Sequence, residues 1–371
     1  MDSTIDVVII GGGLSGLVSA YLLSKGGKSV TLVEKKTYPF HRVCGEYVSN
    51  ETRDFLEKEN LLPKGTELPE ISRFQFTDTK GKSALIDLDL GGFGISRYLF
   101  DEWIYRKCLE VGVKVQEGTQ VEAVEFKVPE DRFLCTLSNH EMLESKYVIG
   151  AFGKRSKLDK VLDRSFIKKR SPYLGVKYHV HIDLPDDMVS LHNFHGGYCG
   201  VNAVESGRFN LCYLGSRDQL REVGNIPEME QRFLFQNPAL KEIFCNAEFL
   251  FEKPEVINEI NFDPKAPVEN HILMAGDSAG LITPLCGNGM AIAIQSGKLA
   301  AEAILAGGRR VQIESRYSNQ WSMLFKSRLR LGRQVQRLFG SPTASSFTRT
   351  LIHNVPFAAN RIIKNTHGEP F

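Results

Sequence analysis

Hydrophobic positions along the chain change their rhythm three times. Val7-Val8-Ile9-Ile10 is an unbroken β-branched run, as in a parallel strand buried on both faces. A helical pattern from roughly Leu14 to Lys25 follows, and Ser29-Val30-Thr31-Leu32-Val33 reads as a second buried strand. Asn50 predicts the cap of a helix running to about Asn60. Arg73–Thr77 and Ser83–Leu88 alternate about Lys80-Gly81 and predict a hairpin. Ser96 predicts the N-cap of an amphipathic helix from Arg97 to Val111, with Leu99, Trp103, Ile104 and Leu109 on or near its inner face. Val113–Val115 resumes the parallel sheet. Gln120–Val128 and Arg132–Leu137 leave it as antiparallel strands, and Tyr147–Ala151 returns to it.

From about Pro172 to Asn261 the rhythm is that of strands. Tyr173–Ile182, Val189–Phe194, Gly197–Val204 and Arg208–Leu214 predict a mostly antiparallel sheet, with one helix near Glu228–Gln236 and Pro238 as punctuation. His271–Ala275 is a short buried strand, and Met290–Leu305 an alanine-rich helix interrupted only by Gly297. Arg316–Phe339 sets six Arg and Lys and no acid among Trp321, Leu324, Phe325, Leu331, Val335, Leu338 and Phe339. Two readings fit that basic amphipathic helix: packing on the core with a solvated basic face, or peripheral contact with an anionic membrane.

Composition narrows the class without naming it. The chain has 371 residues, 42% hydrophobic and 24% charged, with a net charge of +2, so charge argues neither for nor against nucleic acid and no such partner is expected. No apolar run reaches a membrane span, and residues 1–10 read as the start of the fold, so no secretory leader is expected. The cysteines at 44, 108, 135, 199, 212, 245 and 286 form no C-x-x-C pair, which predicts a reducing, cytoplasmic setting and no metal site.

Candidate chemistry starts at Gly11-Gly12-Gly13-Leu14-Ser15-Gly16, a G-x-G-x-x-G between a strand and a helix. Gly11 permits the tight turn, Gly13 the close approach of a pyrophosphate, and Gly16 the packing of helix on strand. The N-terminal N–H groups of the helix, from Leu14 and Ser15 on, point at the phosphates. Glu34 ends the second strand about 20 residues on, where its carboxylate accepts from a ribose diol and disfavours a 2′-phosphate; the ligand is FAD or NAD. A second anion-stabilising element follows later: Gly276-Asp277, Pro284, then Gly287-Asn288-Gly289-Met290 opening a helix.

These motifs, with Ser96-Arg97 and Gly150-Ala151-Phe152-Gly153-Lys154-Arg155-Ser156, occur in one order. Together they resemble the FAD-dependent p-hydroxybenzoate hydroxylase superfamily, and within it the geranylgeranyl reductase branch, over about residues 5 to 305. The resemblance implies an α/β fold: a Rossmann-type FAD-binding domain with a parallel sheet and a βββ excursion, interleaved with an antiparallel substrate-binding sheet and followed by C-terminal helices. It places the FAD domain in 1–70, 95–165 and 265–310, the substrate domain in 71–94 and 166–264, and a helical region in 311–371. It sets Arg97 along the FAD, with Lys35, Arg42, Cys44, Gly45, Val121, Ala151 and Gly153 among the residues around it. Asp277 would hold the ribityl chain, and Gly287 to Met290 would sit at the isoalloxazine. The family's Ala-Asp-Gly turn is Ala151-Phe152-Gly153 here, which removes the usual support for direct NADPH use. The electron donor is NADH, NADPH or a separate reductase. The paired tryptophan signature of flavin-dependent halogenases is absent.

For catalysis, Cys44 is a proton donor near the flavin or a buried small hydrophobe, and Glu46 orients substrate or pairs with Arg42. His195 and Tyr198 are candidates for a general acid–base pair, among Tyr178, His179, His181 and His192 in the same strand-rich region. The expected function is an FAD-dependent oxidoreductase on a small apolar substrate (aromatic, polyketide or isoprenoid-like). Monooxygenation leads, ene-type reduction of a C=C bond is the alternative, and a flavin-binding redox sensor or carrier without turnover is the reading from another class.

Overall fold

The computed structural model describes residues 5–283, 287–336 and 340–371. Strand β1 (Ile5–Ile10) leads through the glycine turn into α1 (Leu14–Lys25) and β2 (Val30–Val33). Next come β3 (Tyr47–Ser49), α2 (Arg53–Lys58), β4 (Glu70–Thr77), β5 (Ser83–Gly94), α3 (Arg97–Glu110) and β6 (Lys114–Gln116). The antiparallel run β7 (Val121–Lys127), β8 (Arg132–Leu137) and β9 (Met142–Gly150) follows, and α4 (Lys157–Val161) closes the first half.

β1 lies between β2 and β9, parallel to both, in register Ile9↔Leu32 and Ile9↔Ile149. Val7, Val8, Ile9 and Ile10 are all buried in the first core, on a strand with a neighbour along each edge and α1 packed beside it, which is why the run shows no alternation. In α3, Ser96 Oγ accepts from Leu99 N at 3.2 Å. The buried stripe there is Phe100, Ile104 and Cys108, spaced at i, i+4, i+8. Leu109, expected inward, is 46% exposed: it falls one position off that stripe. The helix expected after Asn50 is capped one residue earlier, by Ser49 Oγ accepting from Glu51 N, and is short.

The second half builds another sheet. β10 (Tyr173–His181), β11 (Met188–Phe194), β12 (Gly197–Val204) and β13 (Arg208–Ser216) are followed by α5 (Arg217–Val223), α6 (Ile226–Phe233), α7 (Pro238–Asn246), β14 (Glu248–Phe249) and β15 (Glu255–Asn258). The order is β14-β10-β13-β12-β11-β4-β5-β3, antiparallel except where β11 meets β4. Residues 47–49, within the stretch assigned by resemblance to the FAD domain, pair with β5 in this second sheet, Val48↔Phe93. The one helix expected near Glu228–Gln236 is three. Ser216, Asn225 and Asn237 cap them in turn, and Pro238, expected to break structure, stands at the first turn of α7 where its missing N–H costs nothing.

The chain then returns to the first sheet. β16 (Val268–Glu269) and β17 (Ile272–Met274) add to β9, Leu273↔Ile149, and α8 (Gly289–Leu305) packs on α1. Gly297 makes that contact close: a Cβ there would come 2.4 Å from Ser15 O, and Ser19 Oγ donates to Gly297 O at 2.9 Å. Helices α9 (Arg310–Gln336), α10 (Pro342–Asn354) and α11 (Pro356–Thr366) complete the chain. Ile313, Tyr317, Trp321, Phe325 and Leu329 form a buried stripe on α9 inside the first core, so the apolar face of the basic helix packs within the protein. Arg328, one of its cations, is buried against Glu51 at 3.0 Å. Among the described residues no helix is long and apolar enough to cross a membrane.

Candidate active site

Two turns converge at the C-terminal edge of the first sheet, where an open parallel sheet binds its ligand. Gly11 has φ +103°, and a Cβ on it would lie 2.4 Å from Ala151 O; a Cβ on Gly16 would lie 2.0 Å from Gly11 O. Gly13 is different. A Cβ there would meet only Arg97 Nη2, 3.7 Å away, so its front opens on a groove. Glu34 is buried at the end of β2, its Oε2 accepting from Gly12 N at 2.8 Å, while Lys35 beside it is exposed. Val121 is buried at the start of β7, and Ala151 N donates to Ile10 O at 2.8 Å.

The front of the groove is lined by alternating charges. Arg97 donates from Nε and Nη2 to the two carboxylate oxygens of Asp101, both at 2.7 Å. Arg42 donates to Asp101 Oδ2 at 3.0 Å and to Glu34 Oε2 at 3.2 Å. Asp101, which no motif marks, therefore fixes both guanidinium groups; its signal is the i, i+4 spacing from Arg97 on α3. Asp101→Ala is expected to lower the melting temperature and weaken FAD retention severalfold, because Arg97 loses its carboxylate and Arg42 one of its two. Thermal unfolding with and without added FAD measures both effects.

The second turn is strapped from behind. Gly153 N donates to Ser278 Oγ at 2.9 Å, Arg164 Nη2 to Ser278 O at 2.9 Å, and Lys265 Nζ to Asp277 O at 2.8 Å. Arg164 is itself buried against Asp159 at 2.9 Å. Asp277 lines a cavity, and burial raises its carboxyl against the pull of Lys265. Lys154 lines the same cavity, and burial lowers its ammonium to about 8. Gly276 abuts Ser15 of α1, where a Cβ added to it would stand 2.7 Å from Ser15 Oγ, so the two turns adjoin. Pro284 lies outside the described residues. Gly287 (φ +63°) lines the cavity near Tyr47, Asn288 is buried with Nδ2 donating to Thr366 O at 3.0 Å, and Gly289 and buried Met290 open α8.

The cavity, about 220 Å³, lies between these turns and the second sheet. Cys44, Gly45, Asp277 and Gly287 stand at one end; Phe74, Val189, Leu191, Tyr198, Leu214, Ile257 and Ile260 make apolar walls. Cys44 is half-buried, and burial raises its thiol although the Arg97 charge opposes the rise. Glu46 does not pair with Arg42, as one reading expected. It has φ +54°, and its side chain turns into the second sheet, where Lys177 Nζ donates to Oε1 and His179 Nε2 bonds Oε2 at 2.6 Å. Arg97 N also donates to Oε1, at 2.8 Å. Burial would raise this carboxyl, but Lys177 and His179 outweigh it and hold it down at about 2. Asn210 Nδ2 donates to Gly45 O at 2.9 Å, so the Cys44–Glu46 loop is clamped onto β10 and β13.

His195 and Tyr198 do not form a pair. Tyr198 is buried on the cavity wall, whereas His195 sits in the turn between β11 and β12, where its side chain is exposed. His192 is buried against Thr77, 3.1 Å away, and burial lowers it to about 4; Tyr178 donates to Glu230. The residues that matter here, Lys177 and His179, carry a signal in β10: Leu174, Val176, Tyr178 and Val180 face one core, which sends the intervening Lys177 and His179 to the opposite side.

Residues 4–309 match the family described as FAD binding domain, more than four-fifths of the chain. The chain belongs to this family. Its cofactor is FAD and it is an oxidoreductase. Over 361 residues this flavoprotein is 26% identical to digeranylgeranylglycerophospholipid reductase 2 of Methanopyrus kandleri, covering 90% of this chain and 86% of that one. Its fold is that of the flavin-dependent halogenase CmlS, with a TM-score of 0.77 and 21% identity over 90% of this chain and 64% of that one. The same holds for PqsL, a probable FAD-dependent monooxygenase of Pseudomonas aeruginosa, with a TM-score of 0.75 and 16% identity over 93% of this chain and 99% of that one. The geometry suits the cofactor: an open-fronted glycine turn at a helix N-terminus, a carboxylate at the end of β2, and a second turn strapped by cations meet along one groove.

Proposed function

We propose that the flavoprotein is a monooxygenase of a small apolar substrate. In this reading Gly11, Gly13, Leu14, Ser15 and Gly16 hold the FAD pyrophosphate, with Glu34, Arg42, Arg97 and Asp277 around it, and Cys44, Gly45 and Gly287–Met290 border the flavin. The cavity of about 220 Å³ carries the proposal, since its walls are mostly apolar and its lining includes those flavin-side residues. Bound FAD supplies the redox chemistry, accepting electrons from a donor and passing them to oxygen or substrate. The chain's own residues do the rest. Leu191, Tyr198 and Leu214 hold the substrate's apolar face, and the Glu46–Lys177–His179 anchor keeps Cys44 and Gly45 at the cavity's end. A cytoplasmic setting belongs to the same reading, because the six described cysteines are all free.

One observation favours a second reading, reduction of a C=C bond. Cys44 faces the cavity with a thiol kept protonated by burial, which is the state a proton donor needs. Protein reduced without oxygen and mixed anaerobically with a polyprenyl or aromatic substrate separates the two. Flavin that stays reduced until oxygen enters, with isotope-labelled oxygen appearing in product, supports monooxygenation; anaerobic reoxidation of the flavin by substrate sinks it. Cys44→Ala sharpens the comparison. It is expected to change turnover by no more than a few fold in a monooxygenase, and to lower kcat about 100-fold in a reductase, with FAD content unchanged in both.

A further inference from the structure

Charge is segregated along this chain. Residues 307–371 hold 11 Lys and Arg against 2 Asp and Glu, a net +9 that leaves −7 for residues 1–306 within the overall +2. Four of those cations, Lys326 and Arg330 on α9 and Arg361 and Lys364 on α11, stand exposed on helices that pack together, α11 against both α9 and α10. On α9, Met323, Lys326 and Arg330 are exposed at i, i+3, i+7, with Met323 75% exposed. On α11, Phe357, Arg361 and Lys364 are exposed at i, i+4, i+7, and Phe357 is 76% exposed. Phe347 on the outer face of α10 is 66% exposed, and Val355 stands in the turn between α10 and α11. These apolar side chains are not the ones the sequence pattern pointed to. Trp321 and Phe325 are used up in the core, and the exposed set comes from three helices.

The same helices wall the way into the substrate cavity. A second cavity of about 210 Å³ adjoins the first and shares Tyr47, Leu88, Ile363 and His367 with it. Its outer wall is α11, through Asn360 and Lys364, and the segment that follows. Lys364 therefore belongs both to the mouth of the passage and to the exposed stripe. The rim also carries Asp89 and Glu369, so attraction to an anionic surface comes from the stripes rather than from the mouth itself.

We infer that the outer faces of α9–α11 are a docking surface for an anionic lipid bilayer, which sets the passage between β5 and α11 against the membrane. Exposed aromatic and thioether side chains interleaved with Lys and Arg on in-plane helices suit insertion at the headgroup boundary, where the apolar groups are buried and the cations meet anionic lipid. An acidic protein would also answer the charge and cover Met323, Phe347 and Phe357; lipid is favoured because Lys364 of the same stripe stands at the mouth of a passage into an apolar cavity. An apolar substrate then passes from lipid to cavity past Tyr47 and Ile363 without crossing solvent.

The test is sedimentation of the FAD-loaded protein with phosphatidylcholine vesicles, with and without phosphatidylglycerol, at low and high salt. Binding is expected only with phosphatidylglycerol and is expected to fall with salt. Phe347→Ser/Phe357→Ser is expected to weaken it at least about fivefold, and Arg361→Glu/Lys364→Glu about tenfold or more, with FAD content unchanged. Lys64→Glu/Lys160→Glu, the same charge change on other elements, is expected to leave most of the binding intact. Absence of binding to the anionic vesicles overturns the inference. So does a double serine variant that binds like the parent, or a control pair that loses as much as the Arg361/Lys364 pair. Vesicle binding is read without turnover, so it stands or falls apart from the reaction proposed above.

Discussion

Lys177→Met is expected to cost the folded protein about 3–5 kcal/mol, the range for removing one partner of a buried ion pair. The carboxylate of Glu46 is fully buried, and Lys177 provides the largest of the effects that outweigh its burial. Without the ammonium, the side chain must keep an uncompensated charge or take up a proton. The guanidinium chloride midpoint should fall at an unchanged denaturant slope. Glu46→Gln/Lys177→Met should recover part of the loss, since it removes both charges together. Acid gives an independent sign. The carboxyl is held at about 2 against an ordinary 4.5, so its contribution is present above 4.5 and is lost as pH falls toward 2. Protonating Glu46 also relieves the variant, so the gap between parent and variant should narrow on acidification. A difference below about 1 kcal/mol at neutral pH would show that this cluster does not anchor the loop carrying Cys44.

Gly13→Val is expected to keep the fold and lose the flavin. A Cβ there meets only Arg97 Nη2 at 3.7 Å, and the backbone, at φ −83° and ψ −179°, is extended and suits valine. The added methyl groups therefore fill the groove rather than the core. FAD affinity should drop at least tenfold, about 1.4 kcal/mol, while far-ultraviolet dichroism stays that of the parent. Gly16→Val provides the contrast: its Cβ would stand 2.0 Å from Gly11 O, and backbone has no rotamer through which to yield. That variant should lose both fold and flavin. A Gly13→Val protein that still copurifies with stoichiometric FAD would show that the groove in front of Gly13 is not the cofactor's path.

The nucleotide half is legible in the sequence because its requirements are local. A strand buried on both faces, glycines at fixed offsets and an acid at the end of the next strand each leave a mark within 30 residues. The strands of the second sheet are legible for the same reason, through alternation. What local pattern does not encode is who meets whom across the sheet. Glu46 reads as a loop acid, and only the folding of its loop onto β10, with Glu46 in a left-handed conformation, makes Lys177 and His179 its partners 131 and 133 residues away. His195 is misleading for the opposite reason: it is near Tyr198 in sequence, but a turn residue points away from the wall that its strand neighbour builds. The basic helix shows a third case. Its apolar stripe is correctly amphipathic, and periodicity alone does not say whether that stripe meets protein or lipid. Asp101, Arg164 and Lys265 act from behind the site, where no motif reaches.

The strand order of the first sheet has a consequence for how the chain comes off the ribosome. β1 finds β9 only after some 140 intervening residues, and β17, with the turn that carries Asp277, arrives more than a hundred residues later still. Every strand of the second sheet is synthesised between β1 and β17. The half begun first is thus closed only after the second sheet has been made, and its open edge waits for β17; such a chain gains from a chaperone on the nascent polypeptide, and the site for the flavin is complete only once the Asp277 turn has emerged.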